Sequence, residues 1–158
     1  MKTLDFYYVK IHPKAKAPEK IRGNLGFDLS VVKDETFFEY SYPGENKTYK
    51  YELRPGERKL FHTGLKIAIT PGYGVLLKDR SGMAAKFGIH VLAGVIDSTY
   101  RGEWLICLLN TSDKIYCIAE GDRIAQGIIV PEYIINFHEN KELDATARGE
   151  KGFGSSGK

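Results

Sequence analysis

Apolar residues recur along the chain in short runs of strand length, each closed by turn-forming residues. The runs are LDFYYVKI, GFDLSVV, ETFFEYSY, KTYKYEL, TGLKIAIT, GYGVLLK, GIHVLAGVI, EWLICLLN, KIYCIA and RIAQGIIV. They are rich in Val, Ile, Tyr, Phe and Thr, and Pro-Gly pairs at 43–44, 55–56 and 71–72 punctuate them. β-Branched and aromatic side chains suit a pleated, half-buried surface, while Pro and Gly supply the backbone angles of tight turns. The pattern predicts an all-β sandwich, jelly roll or barrel. One short helix is expected at Ser81–Phe87, SGMAAKF, with Ser81 as its N-cap. WLICLL is apolar at every position, which predicts burial on both faces, under a second sheet or against another subunit. Between two apolar runs, Asp97–Gly102 (DSTYRG) reads as a hairpin or tight strand connection. The closing stretch, ARGEKGFGSSGK, lacks apolar periodicity and cannot pack a core. Residues 1–146 are therefore expected to form one domain, and 147–158 a flexible arm.

Composition narrows the class. With 158 residues, 42% hydrophobic and 27% charged, the chain suits one globular domain with its own core. No apolar run approaches the roughly eighteen residues of a membrane span, so no membrane association is expected. The N-terminal stretch has no signal-like apolar core, which predicts a cytoplasmic location, or the host-cell cytoplasm for a viral source. A net charge of +3 without a Lys/Arg block argues against nucleic-acid binding. Cys107 and Cys117 lie inside apolar runs and are expected as buried free thiols in a reducing compartment.

Several polar clusters interrupt the apolar pattern, and none is specific alone. Gly152–Lys158 fits G-x-x-x-x-G-K, but a P-loop also needs a strand before the glycines, then Ser/Thr and a helix after the lysine. Neither follows Lys158 in this sequence, so the match is treated as accidental. In GVIDSTYRG, Asp97 and Tyr100 share one turn; Asp97 can act as a general base on water, and Tyr100 can offer a flat face to a ring or sugar. A turn with a capping Asp and a packed Tyr has the same spacing. In DRSGMA, Arg80, Ser81 and Gly82 stand where a strand meets a helix, an arrangement that can face an anion or simply cap the helix. GDRIAQG sets Arg123 and Gln126 in or beside a strand. GFDLS places Asp28 among apolar neighbours, where it needs a cationic partner or a metal; Arg123 is the candidate.

Taken in order, GFDLS, DRSGMA, AGVIDSTYRGE, GDRIAQ and RGEKGFGSSG resemble the five motifs of the trimeric dUTPase family, the deoxyuridine triphosphate nucleotidohydrolases. The third and fifth are the specific ones, and the resemblance runs from about Gly23 to Gly157. It implies a distorted jelly roll of the β-clip type that assembles as a homotrimer, each active site drawing on all three chains. The implied reaction is hydrolysis of dUTP to dUMP and pyrophosphate, with Mg²⁺ on the triphosphate, which keeps uracil out of DNA and supplies dUMP for thymidylate synthesis. By resemblance, Asp97 activates the attacking water and Tyr100 lies beneath deoxyribose, excluding a 2′-hydroxyl. Gly94, Val95, Ile96 and the strand near Leu105 would meet the uracil edge. Arg80, Ser81, Gly82 and Gln126 would contact the phosphates, and Asp28 the metal through water, or Arg123. From the arm, Arg148, Gly154, Ser155 and Ser156 would grip the outer phosphates while Phe153 stacks over uracil.

The sequence departs from that family at Asp79, where a Pro is usual, and at Lys151, where a Gly is usual; Asp79 is expected to pair with Arg80. Residues 34–50 read as a hairpin insertion that can be an ornament or a protein-partner surface. Two other functions remain open at the level of sequence. One is a dCTP deaminase or bifunctional enzyme on the same fold, and the other is a dUTPase with an added regulatory, protein-binding role. The absence of an acid within WLICLLN, after Glu103, counts against deamination.

Overall fold

The computed structural model describes residues 3–41 and 47–152. Among the described residues eleven strands and one helix follow the apolar runs: β1 Tyr7–Lys10, β2 Phe27–Ser30, β3 Phe38–Tyr40, β4 Thr48–Leu53, β5 Arg58–Ala68, β6 Tyr73–Lys78, α1 Ser81–Phe87, β7 Ile89–Leu92, β8 Val95–Ile96, β9 Glu103–Asn110, β10 Tyr116–Ala119 and β11 Arg123–Pro131. They form three sheets, ordered β1-β5-β9-β7, β10-β4-β3 and β2-β11-β6-β8, with every pairing antiparallel. This is the all-β architecture with one short helix that the pattern predicts. Among the described residues no helix is long and apolar enough to cross a membrane.

The core lies between the sheets. Trp104, Phe61, Leu65, Ile106, Leu53, Ile118 and Ile124 are fully buried. Each such side chain removed from water contributes about 1.5–3 kcal/mol. Strand β9 shows how pattern and packing diverge. Trp104, Ile106, Leu108 and Asn110 are buried, whereas Glu103, Leu105, Cys107 and Leu109 alternate with them and are only half-buried. Within one chain, then, WLICLL buries one face, because a pleated strand sends successive side chains to opposite sides. The thiols are corrected by the same alternation. Cys107 lies on the half-buried face of β9, and Cys117 is exposed on β10 while Ile118 takes the core.

GIHVLAGVI is also two strands, not one. β7 pairs with β9 in the first sheet and β8 pairs with β6 in the third. DSTYRG therefore carries the chain from one sheet to another, and β8 and β9 do not form a hairpin. In the 34–50 region, β3 pairs with β4, and β4 also pairs with β10. Residues 42–46 at its tip, including the Pro-Gly at 43–44, lie outside the described residues.

Candidate active site

The crossing between sheets builds the first half of the site. After β7 the backbone enters the left-handed region twice in succession, at Ala93 (φ 59°) and Gly94 (φ 95°). For a non-glycine residue such as Ala93 this costs about 1–2 kcal/mol. The kink is held because the Leu77 amide donates to the Gly94 carbonyl at 2.7 Å. A Cβ on Gly94 would stand 2.8 Å from Leu77 Cβ, so only glycine fits there. The chain then turns sharply, with the Tyr100 amide donating to the Asp97 carbonyl at 3.1 Å. Asp97 and Tyr100 thus share one turn.

A cavity of about 220 Å³ opens beside this turn and brings together Gly94, Val95, Ile96, Asp97, Tyr100 and Leu105. Asp97 is exposed. No hydrogen bond to its carboxylate is made among the described residues. Tyr100 lies back against Gly102, where a Cβ would stand 2.6 Å from the ring Cζ, and its hydroxyl donates to the Glu103 carbonyl at 3.0 Å. Leu77, Glu103 and Trp104 complete the lining. Sequence reasoning assigned these three no role in the site. Glu103 carried a signal nonetheless, as the one acid at the head of an apolar strand.

The second half lies around Asp28 on β2. Asp28 Oδ2 is 3.1 Å from Arg123 Nη1, and Oδ1 is 3.2 Å from Arg80 Nε. Arg80 Nη1 also donates to the Arg123 carbonyl at 3.0 Å. Local irregularity permits this meeting. The β2–β11 register shifts between Arg123 and Ala125, and such a bulge re-aims a side chain out of simple alternation. Gln126 stands opposite Asp28 across the ladder and donates from Nε2 to the Asp79 carbonyl at 2.8 Å, bracing the turn into α1. A cavity of about 500 Å³ is lined by Asp28, Arg80, Ser81, Gly82 and Gln126, together with Lys86. Two guanidinium groups on one carboxylate leave a net positive cluster suited to an anion.

Two expectations on this side are revised. The N-cap of α1 is Arg80, with no side-chain capping bond, and Ser81 is the first helical residue. Ser81 and Gly82 are both exposed there. Asp79 does not pair with Arg80. Its Oδ2 is 2.8 Å from His90 Nδ1, and its Oδ1 accepts the Val91 amide at 2.6 Å. Burial raises the Asp79 carboxyl pKa, but the Val91 and His90 hydrogen bonds outweigh it and hold the group below the usual carboxylate range. Asp79 is thereby turned away from the anion-facing cluster.

The two halves share no lining residue. Arg148 lies apart from both, exposed, with Nε donating to the Lys151 carbonyl at 3.0 Å. Phe153, Gly154, Ser155 and Ser156 lie outside the described residues.

A sequence model of the dUTPase family matches residues 46–157. A deoxyuridine 5′-triphosphate nucleotidohydrolase of Wolinella succinogenes is 38% identical over 161 residues, covering 100% of this chain and 97% of its own. That of Nautilia profundicola is 48% identical over 152 residues, covering 94% of this chain and 96% of its own. Among solved structures, a mutant dUTPase of Staphylococcus bacteriophage 80alpha with dUpNHpp has a TM-score of 0.79 and 26% identity, covering 98% of this chain and 99% of that one. The chain belongs to the dUTPase family.

Proposed function

We propose that the chain hydrolyses dUTP to dUMP and pyrophosphate, with Asp97 activating the water that attacks the α-phosphorus. The observation that carries this reading is an unencumbered carboxylate beside a small pocket floored by Tyr100 and walled by the Gly94–Ile96 backbone. An exposed carboxylate with no internal partner is free to accept a proton from water. The water oxygen bonds to the α-phosphorus, and the bond to the bridging oxygen breaks. Pyrophosphate leaves with the electron pair, and the proton passes through Asp97 to solvent. Main-chain groups of Gly94, Val95 and Ile96, with Leu105, meet the uracil edge, while the Tyr100 ring packs under deoxyribose and leaves no space for a 2′-hydroxyl.

Phosphate charge is met by Arg80, Ser81, Gly82 and Gln126, with Asp28 holding Arg80 in place. Fixed donors aimed at developing charge commonly supply the largest part of such catalysis. Mg²⁺ enters as part of the substrate. Among the described residues no group of three or more His, Cys, Asp or Glu is arranged to hold a metal, and both Asp28 oxygens face guanidinium groups. A dedicated protein metal centre does not fit this donor set, so Asp28 reaches the ion through water at most.

The base pocket and the anion-facing cluster share no lining residue, and the family resemblance implies a homotrimer in which each site draws on more than one copy. Two further features support association. One face of β9 is only half-buried, and Tyr133, Ile134, Ile135 and Phe137 stand exposed beyond β11. The arm, residues 147–158, then closes over substrate through Arg148, Phe153, Gly154, Ser155 and Ser156, excluding water. Deamination is disfavoured because both Glu103 carboxylate oxygens are already engaged, by His62 and by the Gly64 amide. Pyrophosphate release from dUTP, dCTP, dTTP and UTP, with ammonia release from dCTP alongside, tests the reading. The expected result is turnover of dUTP alone; ammonia from dCTP would replace the assignment.

A further inference from the structure

Tyr100 is held from behind. Its hydroxyl donates to the main-chain carbonyl of Glu103 at 3.0 Å, and its ring lies against Gly102. The ring therefore stands wherever the head of β9 stands. The Glu103 side chain ties that head to β5: Oε1 accepts the Gly64 amide at 2.7 Å and Oε2 is 2.9 Å from His62 Nδ1. Thr63 adds a third tie, its hydroxyl donating to the Trp104 carbonyl at 2.7 Å.

The anchor is itself rigid. The β5–β9 register shifts between His62 and Lys66, and Gly64 at its centre has φ 67°. A Cβ on Gly64 would stand 2.7 Å from His12 Cβ and 2.9 Å from Ala15 Cβ, and the Gly64 carbonyl accepts the Ile11 amide at 2.8 Å. Packed on both sides, this bulge is a fixed point. From it a chain of short contacts runs through the Glu103 carboxylate and backbone to the Tyr100 ring.

We infer that Glu103, braced by His62 and the Gly64 amide, is a positioning residue for sugar selection, fixing the Tyr100 ring close enough to exclude a 2′-hydroxyl. The inference rests on the reading of Tyr100 as the sugar platform. Excluding a single added oxygen demands a ring held to within a fraction of an ångström, and misplacement by about 1 Å can change rates by about a hundredfold. The brace meets Asp97 only through the Tyr100 amide on the Asp97 carbonyl and leaves its carboxylate untouched, so loss of the brace is expected to act on discrimination more than on the chemical step.

The test is steady-state pyrophosphate release from dUTP and UTP by the wild type and by Glu103→Ala, Glu103→Gln, His62→Ala and Tyr100→Ala, each with a thermal melt. Glu103→Ala is expected to lower the dUTP-over-UTP ratio of kcat/KM about tenfold, chiefly through KM. Glu103→Gln keeps an oxygen for the Gly64 amide and is expected to restore the ratio to within about threefold. His62→Ala should fall between the two. A Glu103→Ala enzyme that loses activity on both nucleotides with its ratio unchanged would overturn the inference and leave Glu103 a purely structural residue. Should Glu103→Ala fail to fold, an unchanged ratio in His62→Ala overturns it instead. If Tyr100→Ala keeps its preference, the platform reading fails and takes the inference with it. If Tyr100→Ala loses preference while Glu103→Ala does not, the inference alone fails.

Discussion

The base pocket and the anion-facing cluster are built from different materials. Backbone shapes the first: a left-handed step at Ala93 and Gly94, the Leu77 amide on the Gly94 carbonyl, and a turn closed between Asp97 and Tyr100. Charged side chains shape the second, with Asp28 between Arg80 and Arg123 and Gln126 bracing the turn before α1. A backbone-walled pocket can reject a nucleobase by shape, through steric overlap with fixed main-chain atoms. An ion-paired cluster recognises charge, tolerates several polyphosphates, and is satisfied internally until a phosphate competes for its guanidinium groups. In the proposed reading, selectivity and charge neutralisation fall to separate parts of the chain.

Substitutions on the two sides should behave differently. The largest effect belongs to Asp97→Asn, which keeps the pocket's shape and removes the proton acceptor. Its kcat is expected to fall at least about 10²–10⁴-fold, with dUTP affinity held within about an order of magnitude. Near-normal kcat in single-turnover measurements would remove Asp97 from the mechanism. Next comes deletion of residues 147–158. Hydrolysis is expected to drop by about two orders of magnitude, the scale on which lost substrate positioning acts, while light scattering still reports the intact assembly. Dissociation of the truncated protein to monomers would make the arm a structural clasp and not a lid.

The smallest effect concerns the pair beside the anion cluster. The folded state holds the Asp79 carboxyl below the usual carboxylate range, so its contribution is fully present above the unfolded value and is lost as pH falls through the folded one. Asp79→Asn should therefore cost about 0.5–1.5 kcal/mol at neutral pH, the net worth of a part-buried hydrogen bond. That difference should shrink below about pH 4. Urea unfolding of both proteins at several pH values measures it, and a penalty independent of pH would assign the loss to packing.

Much of this molecule was legible in its sequence, and the failures have common causes. Helix α1 falls on Ser81–Phe87 as the pattern predicts, and Asp28 meets Arg123 because a half-buried acid among apolar neighbours requires a cation. Local spacing also sufficed for the Asp97–Tyr100 turn. The break inside GIHVLAGVI was not read, since its cause is a left-handed Ala93 that no composition signal announces. Sequence proximity points Asp79 to Arg80, but β6 and β7 bring His90 and the Val91 amide to it instead. Glu103 was missed as an anchor for the same reason. Its partners His62 and Gly64 are about forty positions away and meet it only across a bulged ladder.

In the proposed trimer a working site joins the Asp97 pocket of one copy to the Arg80 cluster of another. Co-refolding inactive Asp97→Asn chains with inactive Arg80→Ala chains tests it most directly, with dUTP hydrolysis as the readout. In randomly mixed trimers about a quarter of the sites would hold an intact Asp97 opposite an intact Arg80. Activity is expected to return to roughly that fraction of wild type. Mixed assemblies verified by mass spectrometry that remain as inactive as either parent would contradict it.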